Sequence, residues 1–242
     1  MEKLLTLLES STYRVAFTGA GVSTFSGLKD FRGENGLYKK MDADKIFDLN
    51  LFYQDPSFYY KNTRDLIYNS REVRPSLVHR GLKLLEDKGL IQAVITQNID
   101  LLHKKAGSTR VVEVHGTPEI HRCLSCGKTF DFDTISEIVS ADRTPFCPDC
   151  RGIIKPDITF FGESLPMEAV NRAIEESSRA DLMIVLGSSL VVQPAASFPL
   201  YTIQNGGKLV IVNNMETPLD EYAELLYSDL GAVFSFLDTH YR

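Results

Sequence analysis

Four cysteines form two pairs whose spacing is typical of a metal site. They are Cys123, Cys126, Cys147 and Cys150, and the chain has no other cysteine. In each C-x2-C pair two thiolates can bind one ion from a tight turn, and two such pairs complete a tetrahedron around Zn2+. Because all four ligands are protein sulfur, no position remains for water, and we expect one structural zinc ion. A redox pair or simply buried thiols are the alternatives.

A loop that begins at Gly19 has residue types suited to a diphosphate. Gly19 and Gly21 follow an apolar run directly, and glycines let a backbone approach a phosphate whose charge is met by amide N–H groups. Thr24 stands where the usual dinucleotide fingerprint has its third glycine, so a plain tight turn is the alternative. Asp30-Phe31-Arg32-Gly33 follows, with an arginine that can pair with phosphate and a ring that can stack; a capped turn is the alternative there.

Polar residues follow four further apolar runs, where an α/β protein places its ligand contacts. Two of these groups are Gln97-Asn98-Ile99-Asp100 and His115-Gly116. A histidine titrates near neutral pH and can act as a general base, although a packed histidine and helix-capping side chains are the alternatives. The other two groups are Gly187-Ser188-Ser189 and Asn213-Asn214, whose hydroxyls and amides fit the adenosine half of a nucleotide.

The apolar runs that precede these groups predict a parallel sheet covered on both faces. They are Tyr13–Thr18, Ile91–Thr96, Arg110–Val114, Leu182–Leu186, Leu209–Val212 and Ala232–Phe236. Helical patterns between several of them lie at Ser76–Lys88, Pro166–Ser178 and Ala195–Asn205. This alternation favours a doubly wound α/β domain whose ligand lies at the carboxyl ends of the strands.

The 242 residues carry a net charge of −6, which argues against a general nucleic-acid binder. No apolar run approaches the roughly 20 residues of a membrane span. Met1–Glu9 predicts an amphipathic helix and not a signal peptide, so we expect a reducing, cytoplasmic compartment. We expect residues 1–29, 76–120 and 154–242 to form the sheet domain, 30–75 a helical insert with the cofactor loop, and 121–153 a zinc-binding insert.

Taken together, these segments resemble the sirtuin family, in the family's order and through nearly the whole chain. Further matching stretches are Phe160-Phe161-Gly162-Glu163, Gly187-Ser188-Ser189-Leu190 and Val212-Asn213. The resemblance implies a Rossmann-like domain with a smaller zinc-binding and helical module. It also implies NAD-dependent transfer of acetyl groups from lysines of proteins or peptides to ADP-ribose. Removal of other acyl groups, mono-ADP-ribosyl transfer and a non-enzymatic sensing module are the alternatives.

The resemblance also implies roles for single residues. His115 would be the general base, and Asn98 and Asp100 would lie beside the reacting ribose. Expected cofactor contacts are Gly19, Ala20, Gly21, Ser23, Thr24, Asp30, Phe31, Arg32, Gln97, Asn98, Ile99, Asp100, His115, Gly187, Ser188, Ser189, Asn213, Asn214 and Leu230. Phe161, Gly162 and Glu163, with Val191 opposite, would pair with the substrate backbone as an added strand.

Two departures from the family pattern bear on affinity and substrate. Leu28-Lys29 replaces the family's Ile-Pro, which leaves the loop freer and adds a charge, so we expect altered NAD affinity. Relatives that prefer acidic acyl groups resemble one another in a Tyr-x-x-Arg pair, but here Tyr60 aligns with Thr63 and Arg64 lies one place off. Acetyl is therefore favoured over acidic acyl groups.

Overall fold

A six-stranded parallel sheet forms the main layer of the computed structural model, which describes residues 1–29, 43–69 and 72–242. The strands are β1 Arg14–Thr18, β2 Ala93–Thr96, β3 Val111–Glu113, β4 Gly116–Cys123, β5 Thr129–Asp131, β6 Ile154–Ile158, β7 Leu182–Leu186, β8 Lys208–Val212 and β9 Leu225–Tyr227. The parallel sheet has the order β3-β2-β1-β7-β8-β9. Five of the six predicted strands are confirmed, and the predicted fold class with them.

The described ranges contain ten α-helices. They are α1 Glu2–Ser10, α2 Ala43–Ile46, α3 Leu49–Gln54, α4 Pro56–Thr63, α5 Leu77–Asp87, α6 Leu102–Lys105, α7 Phe132–Ser140, α8 Met167–Arg179, α9 Phe198–Gln204 and α10 Leu230–Tyr241. Side chains alternate along each strand, so Ala16 packs with α1, α5 and α10 while Val15 and Phe17 pack with α8 and α9. Among the described residues, no helix combines the length and apolarity of a membrane span.

The predicted strand at Ala232–Phe236 is wrong, because these residues lie within α10. Asp229 caps this helix by accepting a hydrogen bond from the Ala232 amide at 3.0 Å, and Val233, Phe234 and Leu237 bury one helical face. The sixth strand is β9 instead. It is a short edge strand whose central residue is exposed, so it lacks the continuous apolar run by which the other strands were recognised.

A three-stranded antiparallel sheet, in the order β5-β4-β6, forms the smaller module. Its strands begin at Gly116 and end at Ile158, beyond the predicted insert bounds of 121–153. The insert helices pack on it through an aromatic cluster that includes Phe52, Tyr59 and Phe160. Two segments that are far apart in sequence therefore share one core.

The four cysteine sulfurs meet at one corner of this module. All four Sγ atoms lie within 4.8 Å of one another, with Cys123 and Cys150 3.4 Å apart and Cys126 and Cys147 3.7 Å apart. Zn–S bonds of about 2.3 Å place tetrahedral sulfurs about 3.8 Å apart, so the set fits one zinc ion with no open position. Cys123 and Cys147 are buried. The ion would therefore join the two turns and serve folding.

We expect Cys147→Ser to lose this zinc ion and to lower the melting temperature strongly, because metal binding to such a site contributes directly to folding. Metal analysis should find one zinc per chain in the wild type. Ser125→Ala is the matched control, because Ser125 lies between two ligands and its hydroxyl is not among the clustered donors. A metal-free wild type of full stability, or a mass showing two disulfides, would contradict the assignment.

Three histidines are buried in the described part of the chain without a charged partner in hydrogen-bond contact: His79, His103 and His121. His79 and His103 contact each other, with ring centroids 4.6 Å apart. Burial lowers the pKa of His79 from 6.5 to about 4. The unfolded chain therefore binds a proton between these pH values that the folded chain does not bind. The stability that depends on neutral His79 is therefore fully present above pH 6.5 and is lost as the pH falls toward 4.

We expect His79→Gln to weaken this acid destabilisation. His79 occupies the third position of α5 and completes a capping box with Ser76, a role that glutamine also fills. Each neutral buried histidine costs about 1.4 kcal/mol of stability per pH unit below its unfolded pKa. Urea unfolding at several pH values should therefore give a shallower slope in the variant. Equal slopes in the wild type and His79→Gln would refute the argument.

Candidate active site

A cavity of about 680 Å3 opens at the carboxyl ends of the parallel strands. Loops that follow β1, β2, β3, β7 and β8 line one side of it, and Phe132 and Phe160 of the smaller module line another. Its size is within the range of small-molecule sites, about 300–1,000 Å3. Predicted site residues on its wall are Gly19, Ala20, Gly21, Ser23, Gln97, Asn98, Ile99, Asp100, His115, Phe161, Gly162, Glu163, Gly187, Ser188, Ser189, Asn213 and Asn214.

His115 is held by a hydrogen bond that determines which ring nitrogen is free. Its Nδ1 lies 2.7 Å from the carbonyl oxygen of Gln97, and since a carbonyl only accepts, Nδ1–H is the donor. The neutral ring therefore carries its lone pair on Nε2, which has no hydrogen-bond partner among the described residues. Burial lowers the pKa of His115, and the bond to Gln97 offsets part of this decrease. The imidazole is thus neutral and able to accept a proton at neutral pH.

Ser23 joins the polar residues that follow β1 and β2. Its hydroxyl donates to Asp100 Oδ2 at 2.6 Å and lies 3.2 Å from Asn98 Nδ2, which also donates to the Gly19 carbonyl at 3.0 Å. Asp100 Oδ1 accepts from the Leu102 amide at 2.9 Å, but the N-cap of α6 is Leu101, so Asp100 does not occupy the capping position. These hydrogen bonds hold the Asn98 amide and the Asp100 carboxylate at fixed positions on the cavity wall.

The glycines of the β1 loop are required by packing between loops. A Cβ at Gly19 would lie 2.6 Å from the Gly187 carbonyl oxygen, and one at Gly21 would lie 2.7 Å from Gly187 Cα. Gly116 shows the same effect: its φ is +79°, and a Cβ there would lie 2.1 Å from the Asp157 carbonyl oxygen. The backbone that comes this close belongs to β6, which pairs with Gly116.

Three amides of this region are open to a ligand. The N–H groups of Ala20, Ser188 and Ser189 make no hydrogen bond within the described ranges, although Ser188 is only 5% exposed. Buried backbone N–H groups are nearly always paired, so the Ser188 amide points to an acceptor that is not part of the protein. Gln97 Nε2 donates to the Ser188 hydroxyl at 2.7 Å and holds this edge in place. The arrangement fits a diphosphate.

The segment expected to pair with the substrate backbone has only some of its peptide groups free of hydrogen bonds. Phe161 donates its N–H to the Phe47 carbonyl at 2.8 Å and accepts from the Leu49 amide at 3.2 Å, so its peptide groups already have partners. Gly162 and Val191 make no hydrogen bond within the described part of the chain, and Val191 is 48% exposed. Glu163 Oε2 lies 2.8 Å from Lys155 Nζ, and the Glu163 side chain is 28% exposed.

Two further predicted contacts, Leu230 and Thr24, do not line the cavity. Leu230 is buried in the core beside α1, and Thr24 donates its hydroxyl to the Gly21 carbonyl at 2.8 Å. Their expected contact with a cofactor therefore has no support from this geometry. Asp30, Phe31 and Arg32 lie outside the described residues.

Sequence reasoning missed the wall residues that the smaller module contributes. Leu66 and Ile67 come from a π-helical turn at Arg64–Tyr68, and Phe132 comes from the start of α7. None of them follows a predicted strand, so the expectation that ligand contacts lie at the carboxyl ends of parallel strands could not find them. Lys105 also lines the cavity, one turn after Asp100, and carried no pattern of its own.

Comparison with known proteins identifies one family over most of the chain. The model of the Sir2 family matches residues 19–194. The NAD-dependent protein deacetylase of Thermotoga maritima is 50% identical over 228 residues, which cover 94% of this chain and 92% of that protein. The NAD-dependent protein deacetylase of Sulfurisphaera tokodaii is 43% identical over 225 residues, with 93% and 89% covered.

Solved structures agree with the sequence comparison. A Sir2 complex with a peptide and NAD+ has a TM-score of 0.89 at 48% identity and covers 99% of this chain and 96% of that one. A Sir2 structure with a propionylated peptide has a TM-score of 0.88 at 45% identity, with the same shares covered. The fold, the cavity and the matched sequence agree, and this chain belongs to the Sir2 family.

Proposed function

We propose that the protein is an NAD-dependent protein-lysine deacetylase that transfers the acetyl group to ADP-ribose and releases nicotinamide. The observation that carries this proposal is the free Nε2 of His115, a residue that lines the cavity together with Asn98 and Asp100. Acetyl-lysine proteins or peptides are the partners, and neither nucleic acid nor a membrane is needed. Four thiols that bind zinc require a reducing compartment, which favours the cytoplasm.

The chain's own groups suit the parts of NAD. Free amides at Ala20, Ser188 and Ser189 would donate to the diphosphate oxygens, and Asn213 and Asn214 would face the adenosine half. Gln97, Asn98, Ile99 and Asp100 would surround the ribose and the nicotinamide. Bound NAD supplies the ADP-ribosyl group that takes the acetyl oxygen, while nicotinamide leaves as a neutral molecule. No strong acid is therefore needed for its departure.

His115 takes the proton that the reaction must remove. A ribose hydroxyl becomes a nucleophile toward the acetyl carbon only when a base accepts its proton. The Nδ1–H bond to Gln97 fixes the ring, so the Nε2 lone pair has one direction. Asn98 and the Asp100 carboxylate stabilise the positive charge that develops on the ribose as nicotinamide leaves. Their hydrogen bonds to Ser23 keep them in place before substrate binds.

The acyl preference is proposed from the side chains that replace the Tyr-x-x-Arg pair. Tyr60 is 2% exposed and donates its hydroxyl to the Ile154 carbonyl at 2.6 Å. Arg64 forms an ion pair with Asp142 at 2.7 Å. Neither residue lines the cavity, whereas the apolar Leu66, Ile67 and Phe132 do. This environment favours a neutral acyl group such as acetyl over an acidic one.

We expect His115→Ala to lower kcat for deacetylation by about 100-fold or more, because a positioned general base contributes about that factor. In the test, each protein is incubated with NAD and an acetyl-lysine peptide. Mass spectrometry then follows the deacetylated peptide and the acetylated ADP-ribose. His240→Ala, a change on the exposed face of α10, should leave the rate intact. Undiminished deacetylation by His115→Ala would overturn the assigned base, and a peptide that gains ADP-ribose would indicate the transferase alternative.

Lys29 lines the cavity, so we expect its replacement to change NAD affinity without abolishing turnover. Lys29→Met should raise the KM for NAD about threefold, since an exposed ion pair contributes up to about 1 kcal/mol. Lys29→Pro removes the same charge but stiffens the loop, so comparing the two variants separates the effects. The KM for the peptide serves as the internal control. A KM for NAD that equals the wild-type value in both variants would count against a role for this position.

A further inference from the structure

Lys155 is a buried cation beside the cavity whose role the proposed mechanism does not use. Its side chain is 7% exposed, and its Nζ lies 2.8 Å from Glu163 Oε2 and 2.7 Å from the Ile158 carbonyl oxygen. The ammonium ion also lies 4.3 Å from the centre of the Phe160 ring, within the range of a cation–π contact. One charged group therefore contacts the end of β6 and the segment that follows it.

Glu163 uses the same carboxylate oxygen to close a turn. Its Oε2 accepts from the Phe160 amide at 2.8 Å, and its own amide donates to the Phe160 carbonyl at 3.0 Å. Gly162, between them, has a φ of +98°, which few other residues adopt without strain. The turn from Phe160 to Glu163 is therefore closed on itself, and Lys155 fixes its position relative to β6.

This turn contains the free peptide groups that are expected to pair with the substrate backbone. Phe161 pairs with Phe47 and Leu49, whereas the peptide groups of Gly162 make no hydrogen bond within the described residues. Gly162 and Glu163 both line the cavity. The segment is also tied to the base, because the Thr159 amide donates to the His115 carbonyl at 2.8 Å. A shift of the turn would displace the edge from the cavity while leaving the β1 loop in place.

Stability alone is a poor explanation for a buried lysine here. Desolvation of two charges offsets much of their attraction, and apolar residues of similar size often replace such pairs without loss of stability. A pair in which one side chain bonds to the backbone of a strand and the other to the backbone of the turn that follows it instead fixes a geometry. Lys155 and Glu163 have this property, since between them they bond to the backbone of Ile158 and Phe160.

We propose that Lys155 is a positioning residue for the acyl-peptide substrate: through Glu163 and the Ile158 carbonyl it holds the turn whose Gly162 peptide groups pair with the substrate backbone. This inference rests on the proposed function. In this proposal Glu163 supports the turn. Gly162 and Val191 pair with the backbone of the substrate peptide, one on each side of it. The added-strand mode of recognition needs such a rigid edge, because backbone hydrogen bonds tolerate little displacement.

The test measures peptide and NAD affinities separately for Lys155→Met, Lys155→Arg and Glu163→Gln. Lys155→Met should raise the KM and the calorimetric Kd of an acetyl-lysine peptide about tenfold, the effect of losing roughly one charged hydrogen bond. Its KM for NAD should stay within about twofold of the wild type. Lys155→Arg keeps the charge and should recover most of the peptide affinity. Hydrogen exchange should show faster exchange at the Phe160 amide in Lys155→Met.

Controls separate positioning from general damage. Lys83→Met removes a lysine from an exposed ion pair with Asp87 on α5 and should change neither affinity. Equal losses of peptide and NAD affinity in Lys155→Met, or an unchanged peptide Kd, would overturn the proposal. If Lys155→Met does not fold, an unchanged peptide Kd in Glu163→Gln would overturn it instead. A wild-type protein that binds NAD but neither binds nor deacetylates the peptide would refute the proposed function itself.

Discussion

The close contact between the loops after β1 and β7 is the constraint on which the site depends. Gly19 and Gly21 lie against the backbone of Gly187, at distances that any Cβ would reduce below 3.0 Å. Two adjacent parallel strands thus bring their following loops together, and the amides of Ala20, Ser188 and Ser189 face one space. The glycines serve this backbone packing first, and the ligand-binding surface is a result of it.

His115 lies where the two sheets of the protein meet. β3 ends just before it in the parallel sheet, and Gly116 just after it begins β4 of the antiparallel sheet. Its side chain bonds to Gln97 of the large sheet's loop, and its backbone carbonyl bonds to Thr159 of the smaller module. His115 is therefore held from both sides, and the position of the smaller module determines what can reach its ring.

Patterns in the sequence predicted the fold better than they predicted individual contacts. Apolar runs identified β1 and β7 because both are buried on each face, but the same rule mistook the apolar face of α10 for a strand. Strand ends correctly brought Asn98 and His115 to one cavity. The partners of Phe161 and the packing of Leu230 depend on tertiary contacts with distant segments, which no local pattern encodes.

The shared aromatic core of the smaller module has a consequence for folding during synthesis. Tyr60 bonds to the Ile154 carbonyl across 94 positions of sequence, and Phe52 packs on Phe160. Helices α3 and α4 therefore emerge from the ribosome long before the strands that cover their aromatic rings. Contacts of such long range slow folding and leave apolar surface open to aggregation in the meantime. We expect the nascent chain to need chaperone protection over this interval.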